Sequence, residues 1–217
     1  MKRGAKMRII FVELLLLFIC NLTIKAGDVF SLDSLCKNIN NSGECAQAIE
    51  RNQLPKYKKE IVRIDTNTLE VKTIKGQPIL LKNISNSDGD NFYYFIDYLP
   101  QINSFLFRVQ LIEGNYFLLV NKDSGDTTSI DDIPIISPSG KMFVTCSMDL
   151  EAGYNPTRIQ IWKIENRKPV HQQDIDIAAS DLSWVNEKEL NFNINEWQDN
   201  SPEFKKTSQK LIGASGS

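Results

Sequence analysis

Residues 133–164, IPIISPSGKMFVTCSMDLEAGYNPTRIQIWKI, constrain the fold more than any other stretch of the chain. An apolar approach meets a Ser-Pro-Ser-Gly-Lys turn, then a strand-like run from Met142 to Ser147. A loop holding Gly153, Asn155 and Pro156 follows, and then a second run, Ile159 to Ile164, that carries Trp162. Proline, glycine and asparagine break the chain, while β-branched and aromatic residues fill the runs between the breaks. That pattern predicts an antiparallel hairpin with both runs in one sheet.

The chain downstream of Lys58 repeats this grammar. Ile61–Ile64, Leu69–Thr73 and Pro78–Leu81 read as short strands separated by Asp65-Thr66-Asn67 and Lys75-Gly76-Gln77. Asn83 to Asp90 reads as a polar loop. Four further strands are expected between Phe92 and Ile130, turned at Glu113-Gly114-Asn115 and Asp123-Ser124-Gly125-Asp126, where Asn, Asp and Gly tolerate left-handed backbone angles. Upstream, Glu44–Arg51 is built of helix formers, with Asn41 and Ser42 as available caps and Leu54-Pro55 as a stop. The expected fold class is therefore all-β, made of consecutive antiparallel meanders with one short N-terminal helix.

A weak repeat runs through the meanders. Leu99–Phe105 can be laid on Ser137–Phe143, keeping the proline and the aromatic residue of the strand, and Asp181–Leu190 repeats the turn-plus-strand form once more. Ser137-Pro138-Ser139-Gly140-Lys141 resembles the Ser-Pro-Asp-Gly-Lys turn in blades of the TolB-like and WD40-like β-propellers, and Ile159-Gln160-Ile161-Trp162 resembles their Ile-x-Ile-Trp strand. The resemblance covers residues 92–195 and implies blade-like sheets, too few for a closed ring of four to eight blades.

The N-terminus reads as a separate element. Met1 to Arg8 is basic, Ile9 to Ile24 is apolar except for Glu13 and Asn21, and Lys25-Ala26-Gly27 follows, so residues 1–26 are expected to be a secretory signal peptide cut after Ala26. At sixteen positions the run is shorter than the roughly 20 residues of a membrane span. Residues 27–57 then form an N-terminal segment with the short helix, 58–195 the β domain, and 196–217 a mobile tail. The protein is expected to be exported, to a periplasm or the extracellular space. Without residues 1–26 the chain holds 20 basic and 26 acidic residues, a net of −6, and no basic stripe; that argues against nucleic acid as a partner. Membrane contact is expected only through the leader, were it retained.

Of the cysteines beyond the leader, Cys36 and Cys45 bracket a polar loop and are expected to pair in an oxidising compartment, whereas Cys146 lies within an apolar strand as a buried free thiol. One histidine, no Cys-x-x-Cys and an Asn86-x-Asp88-Gly89-Asp90 run without the later glutamate leave no expected metal site and no expected cofactor.

Function is the thinner reading. The segment Asp149–Arg158 is longer than a tight hairpin needs, and it combines Asp149, Glu151, Tyr154, Asn155 and Arg158. Tyr154 can stack on a partner and Arg158 can clamp a carboxylate, so these five residues are the candidate recognition set. In an ordinary loop, Arg158 would instead pair with Asp149. No catalytic residue is assigned: His171 lies on a polar edge, no Gly-x-Ser-x-Gly elbow is present, and Asp149 with Glu151 lacks any sign of the desolvation that glycoside hydrolysis requires. The expected function is a non-enzymatic protein- or ligand-binding module. An inhibitor of a hydrolase, or a hydrolase built on carboxylates, is the alternative.

Overall fold

A computed structural model describes residues 35–86, 89–198 and 201–210, the last stretch and 196–198 by their backbone alone. The expected signal peptide lies outside the described residues. Among those residues no helix is long and apolar enough to cross a membrane.

Among the described residues the one long helix, α1, spans Ser42–Gln53. It begins where the sequence predicts because the Asn41 side chain accepts hydrogen bonds from the amides of Gly43 and Glu44, at 2.8 and 3.1 Å. It stops at Leu54 just before Pro55, and the Cys36–Cys45 disulfide ties its first turn to the preceding loop. Its buried face carries Ala46, Ile49, Glu50 and Gln53, so two polar residues turn inward beside two apolar ones.

Everything else is antiparallel β-structure in four sheets, each with its strands in chain order. The first holds β1 (Ile61–Asp65), β2 (Thr68–Val71) and β3 (Ile79–Lys82); the second holds β4 (Ile84–Asn86), β5 (Gly89–Leu99), β6 (Ser104–Gln110), β7 (Asn115–Asn121) and β8 (Thr127–Ile130). The third holds β9 (Ile135–Ile136), β10 (Met142–Ser147), β11 (Arg158–Glu165) and β12 (Lys168–Ile175), and the fourth β13 (Ala179–Asn186), β14 (Glu189–Gln198) and β15 (Ser201–Lys210). None of these sheets closes into a barrel, although one curls through half of one. The organising hairpin is as expected, with Met142 opposite Lys163 and Ser147 opposite Arg158 in one continuous register.

Two expectations fail. Within the expected loop Asn83–Asp90, Ile84–Asn86 is a strand, with Ile84 opposite Asn91 and Ser85 opposite Asp90. Residues 201–210 are a strand rather than a mobile tail, paired along their full length with β14 from Ser201 opposite Gln198 to Lys210 opposite Glu189. Both segments are polar and lack an alternating apolar face, and their order comes from ladder hydrogen bonds to a longer neighbouring strand, which local composition does not encode.

The burial follows the sequence more closely. Strand β6 is apolar on successive residues, and Phe105, Leu106 and Phe107 are all fully buried, because other layers cover both of its faces. Phe105, Phe107, Phe95 and Val120 pack with Ile61, Leu69, Val71 and Leu81 of the first sheet in one core. Val144, Ile159 and Ile161 of the third sheet pack with Ala179, Leu190 and Phe192 of the fourth in another.

The weak repeat has a structural counterpart. Pro100–Asn103, Pro138–Gly140 and the Glu187-Lys188 turn each join two consecutive antiparallel strands, β5–β6, β9–β10 and β13–β14. Later sheets are laced to these turns. Arg167, in the β11–β12 turn with φ 61°, donates to Tyr98 Oη, the Pro100 carbonyl and Asn103 Oδ1. The carboxylate of Glu187 accepts from both the amide and the hydroxyl of Ser139.

Candidate functional site

The β10–β11 loop, residues 148–157, is ordered by its own first carboxylate. Asp149 accepts from the amides of Ala152 (3.0 Å), Tyr154 (2.8 Å) and Asn155 (3.0 Å), and its own amide donates to Thr157 Oγ1 at 3.0 Å. Those amide bonds hold its carboxyl below the usual carboxylate range. Gly153 supplies a left-handed residue, φ 70°, that lets the chain double back on the carboxylate. The loop is long because it folds around Asp149.

A second set of contacts fastens the loop to the β6–β7 turn. Asn155 Oδ1 accepts from the Asn115 amide at 2.9 Å, and a Cβ at Gly114 would lie 2.6 Å from the same oxygen, so only glycine admits this approach. The neighbouring Glu113 carboxylate holds the Tyr154 phenol above its ordinary value. Met148 Sδ accepts from Asn195 Nδ2 of β14 at 3.0 Å. Three sheets thus hold one loop in place.

What the loop leaves outside is apolar. Tyr154 is 53% exposed, Met148 42% and Leu150 39%, while Ile112 in the adjoining turn is 68% exposed. Water gains when such side chains are covered, at roughly 25 cal/mol per Å². The charged side chains of residues 111–114 and 148–157 are Glu113, Asp149 and Glu151, all acidic.

Of the five candidate residues, the structure brings Asp149, Tyr154 and Asn155 into one bonded unit and leaves Glu151 exposed at its tip. Arg158 pairs with other carboxylates than Asp149. Its guanidinium pairs with Asp131, with Nε on Oδ2 at 2.5 Å and Nη2 on Oδ1 at 3.1 Å, and with Asp174 Oδ2 at 2.8 Å. It therefore clamps the β8–β9 connection and β12 to β11, each of its three nitrogens donating to a carboxylate; Asp149, already bonded to three amides, does not receive it. No sequence signal marks Asp131 or Asp174 as its partners, because they are 27 and 16 residues away.

A general acid needs a raised pKa, and the amide bonds push Asp149 the other way. His171 bonds Asp174 through Nε2 at 2.7 Å and sets its ring edge-on to Trp162, with centroids 4.9 Å apart. The thiol of Cys146 donates to the Ala179 carbonyl, and burial pushes it up to about 12, far from a thiolate. Between β7–β8 and the start of β12 lies a cavity of about 200 Å³, lined by Ser104, Asn121, Thr128 and Pro169, where the Asp126–Lys168 ion pair joins the two sheets at 2.7 Å. No group of three or more potential metal-ligating side chains comes together among the described residues.

One inward pair was not foreseen. Arg108 donates to Gln110 Oε1 and Asn115 Oδ1, leaves its Nε without a partner, and faces Asp132 at coulombic range. Burial holds the Asp132 carboxyl above its usual range despite the Ile133 amide and Arg108. The alternation in β6 places Arg108 on the face of Leu106, away from Phe107, a signal available in the sequence but silent about Asp132.

Protein-family models, curated proteins and solved structures were each compared with this chain, and none matches it.

Proposed function

We propose that this chain is an exported, non-enzymatic binding module that meets a protein partner through the β10–β11 loop and the β6–β7 turn. The observation that carries the reading is the exposure of Ile112, Met148, Leu150 and Tyr154 on a loop whose backbone is rigidly bonded. Interfaces are built from such preorganised aromatic and aliphatic anchors, because little conformational entropy remains to be lost on docking. The disulfide, and the lack among the described residues of a helix fit to span a membrane, agree with export. Successive meanders with equivalent turns agree with the blade-like kinship read from Ser137–Lys141, in which loops at one end of the sheets are the natural contact surface.

The test is affinity capture from the envelope or secreted fraction of the source cells. Wild-type protein is compared with an Ile112→Ser, Tyr154→Ser double variant of unchanged circular dichroism. A partner held by wild type and lost by the variant supports the reading; partner lists that do not differ remove this face from consideration.

A further inference from the structure

Resting on that reading, we infer that the partner presents a basic segment, with an arginine or lysine lying on the Tyr154 ring beside the Glu113 carboxylate. Four features of the face lead there. The charged residues of the two loops that carry its apolar side chains, 111–114 and 148–157, are Glu113, Asp149 and Glu151. The two arginines close to it in the chain are both taken: Arg158 by Asp131 and Asp174, Arg108 by Gln110 and Asn115. Its negative charge is therefore not neutralised from within by either guanidinium. Asp149 also stays ionised well into acid, because the loop amides stabilise its anion.

Tyr154 adds the geometry. A Cβ at Gly114 would lie 3.3 Å from Tyr154 Cβ, so the residue stands against the turn that carries Glu113 while 53% of it stays exposed. A guanidinium or ammonium above that ring gains from the quadrupole and from the adjacent charge together. Ile112 and Leu150 are then left for the aliphatic neighbours of the basic residue. An anionic bilayer, the other surface that takes exposed apolar loops, is disfavoured by the same three carboxylates.

Nuclear magnetic resonance titration of the disulfide-intact protein tests this with three probes: a ten-residue peptide of alternating arginine and leucine, the same peptide with glutamate for arginine, and vesicles of mixed zwitterionic and anionic phospholipid. The arginine peptide is expected to move the amide signals of residues 111–114 and 148–157. Its affinity is expected to fall about tenfold in Tyr154→Ala, to survive in Tyr154→Phe, and to weaken in Glu113→Gln and with added salt. If the glutamate peptide or the vesicles move those signals as strongly, the basic partner is ruled out while the face remains a binding surface. If none of the three probes moves them, the inference fails together with the reading beneath it.

Discussion

Glu50 on α1 and Arg63 on β1 form a two-pronged ion pair, with Nε to Oε1 at 2.9 Å and Nη2 to Oε2 at 2.7 Å. The pair is shared with a third element. Glu50 Oε2 also accepts from the Phe95 amide of β5 at 2.8 Å, next to the irregularity between Phe95 and Asp97, and Arg63 Nη2 donates to the Tyr93 carbonyl at 2.7 Å. Two side chains thereby settle how the helix, the first sheet and the second sheet meet.

Removing one member of this pair leaves the other buried without its countercharge, with the Phe95 amide unsatisfied as well. Glu50→Ala is expected to lower unfolding free energy by about 3–5 kcal/mol in urea titration. Arg63→Lys is expected to recover little, because an ammonium cannot supply the fork that reaches both oxygens and the Tyr93 carbonyl. A loss in Glu50→Ala no larger than that of an exposed helix residue would show the contact to be incidental.

Asp132 gives the fold a pH signature. Its proton is bound more tightly in the folded chain than in the unfolded one, so its contribution favours folding at low pH and is lost as pH rises through the raised folded value. Asp132→Asn keeps an oxygen for the Ile133 amide and removes the desolvated charge. At pH 7 it is expected to raise the thermal midpoint, with the gain shrinking toward zero below the carboxylate range. A lower midpoint at pH 7 would mean that Arg108 needs the charge more than burial penalises it.

Cys146 should be chemically silent while the protein is folded. With its thiol pushed up to about 12 and donating to Ala179, almost no thiolate exists near neutral pH. Iodoacetamide at pH 7.5 is expected to leave it unmodified by intact mass, and to label it fully in denaturant with the Cys36–Cys45 bond intact. Prompt labelling of the native protein would contradict the burial.

Arg158 and Tyr154, four residues apart, should separate stability from recognition. Arg158→Ala strips three charge-assisted contacts from Asp131 and Asp174 and is expected to cost about 1–2 kcal/mol, a figure moderated by partial exposure. Tyr154→Ala is expected to leave the denaturation midpoint unchanged. The reverse pattern would place the structural role on Tyr154.

Most of the strands, their turns and the helix cap could be read from the chain because each depends on neighbours a few residues away. Asn41 caps α1 whatever lies beyond it, and the Pro138–Gly140 turn precedes a strand by local backbone sterics alone. The candidate loop was legible for the same reason, since ten residues between Ser147 and Arg158 exceed what a hairpin needs. Its rigidity was partly legible too, because Asp149 bonds amides three to six residues on.

The sequence by itself thus determined an all-β chain of consecutive meanders, a short capped helix, the Cys36–Cys45 pairing and a β10–β11 loop longer than its hairpin needs. Only the tertiary structure decided that Arg158 belongs to Asp131 and Asp174, that Glu50 turns inward to Arg63, that Ile112 and Glu113 lie beside Tyr154, and that residues 201–210 add a strand to β14. The division has one cause. Backbone conformation is set by period and turn chemistry over a handful of residues, whereas the partner of a charge or an edge depends on which sheets stack, and contacts made across tens of residues leave no mark in the local pattern.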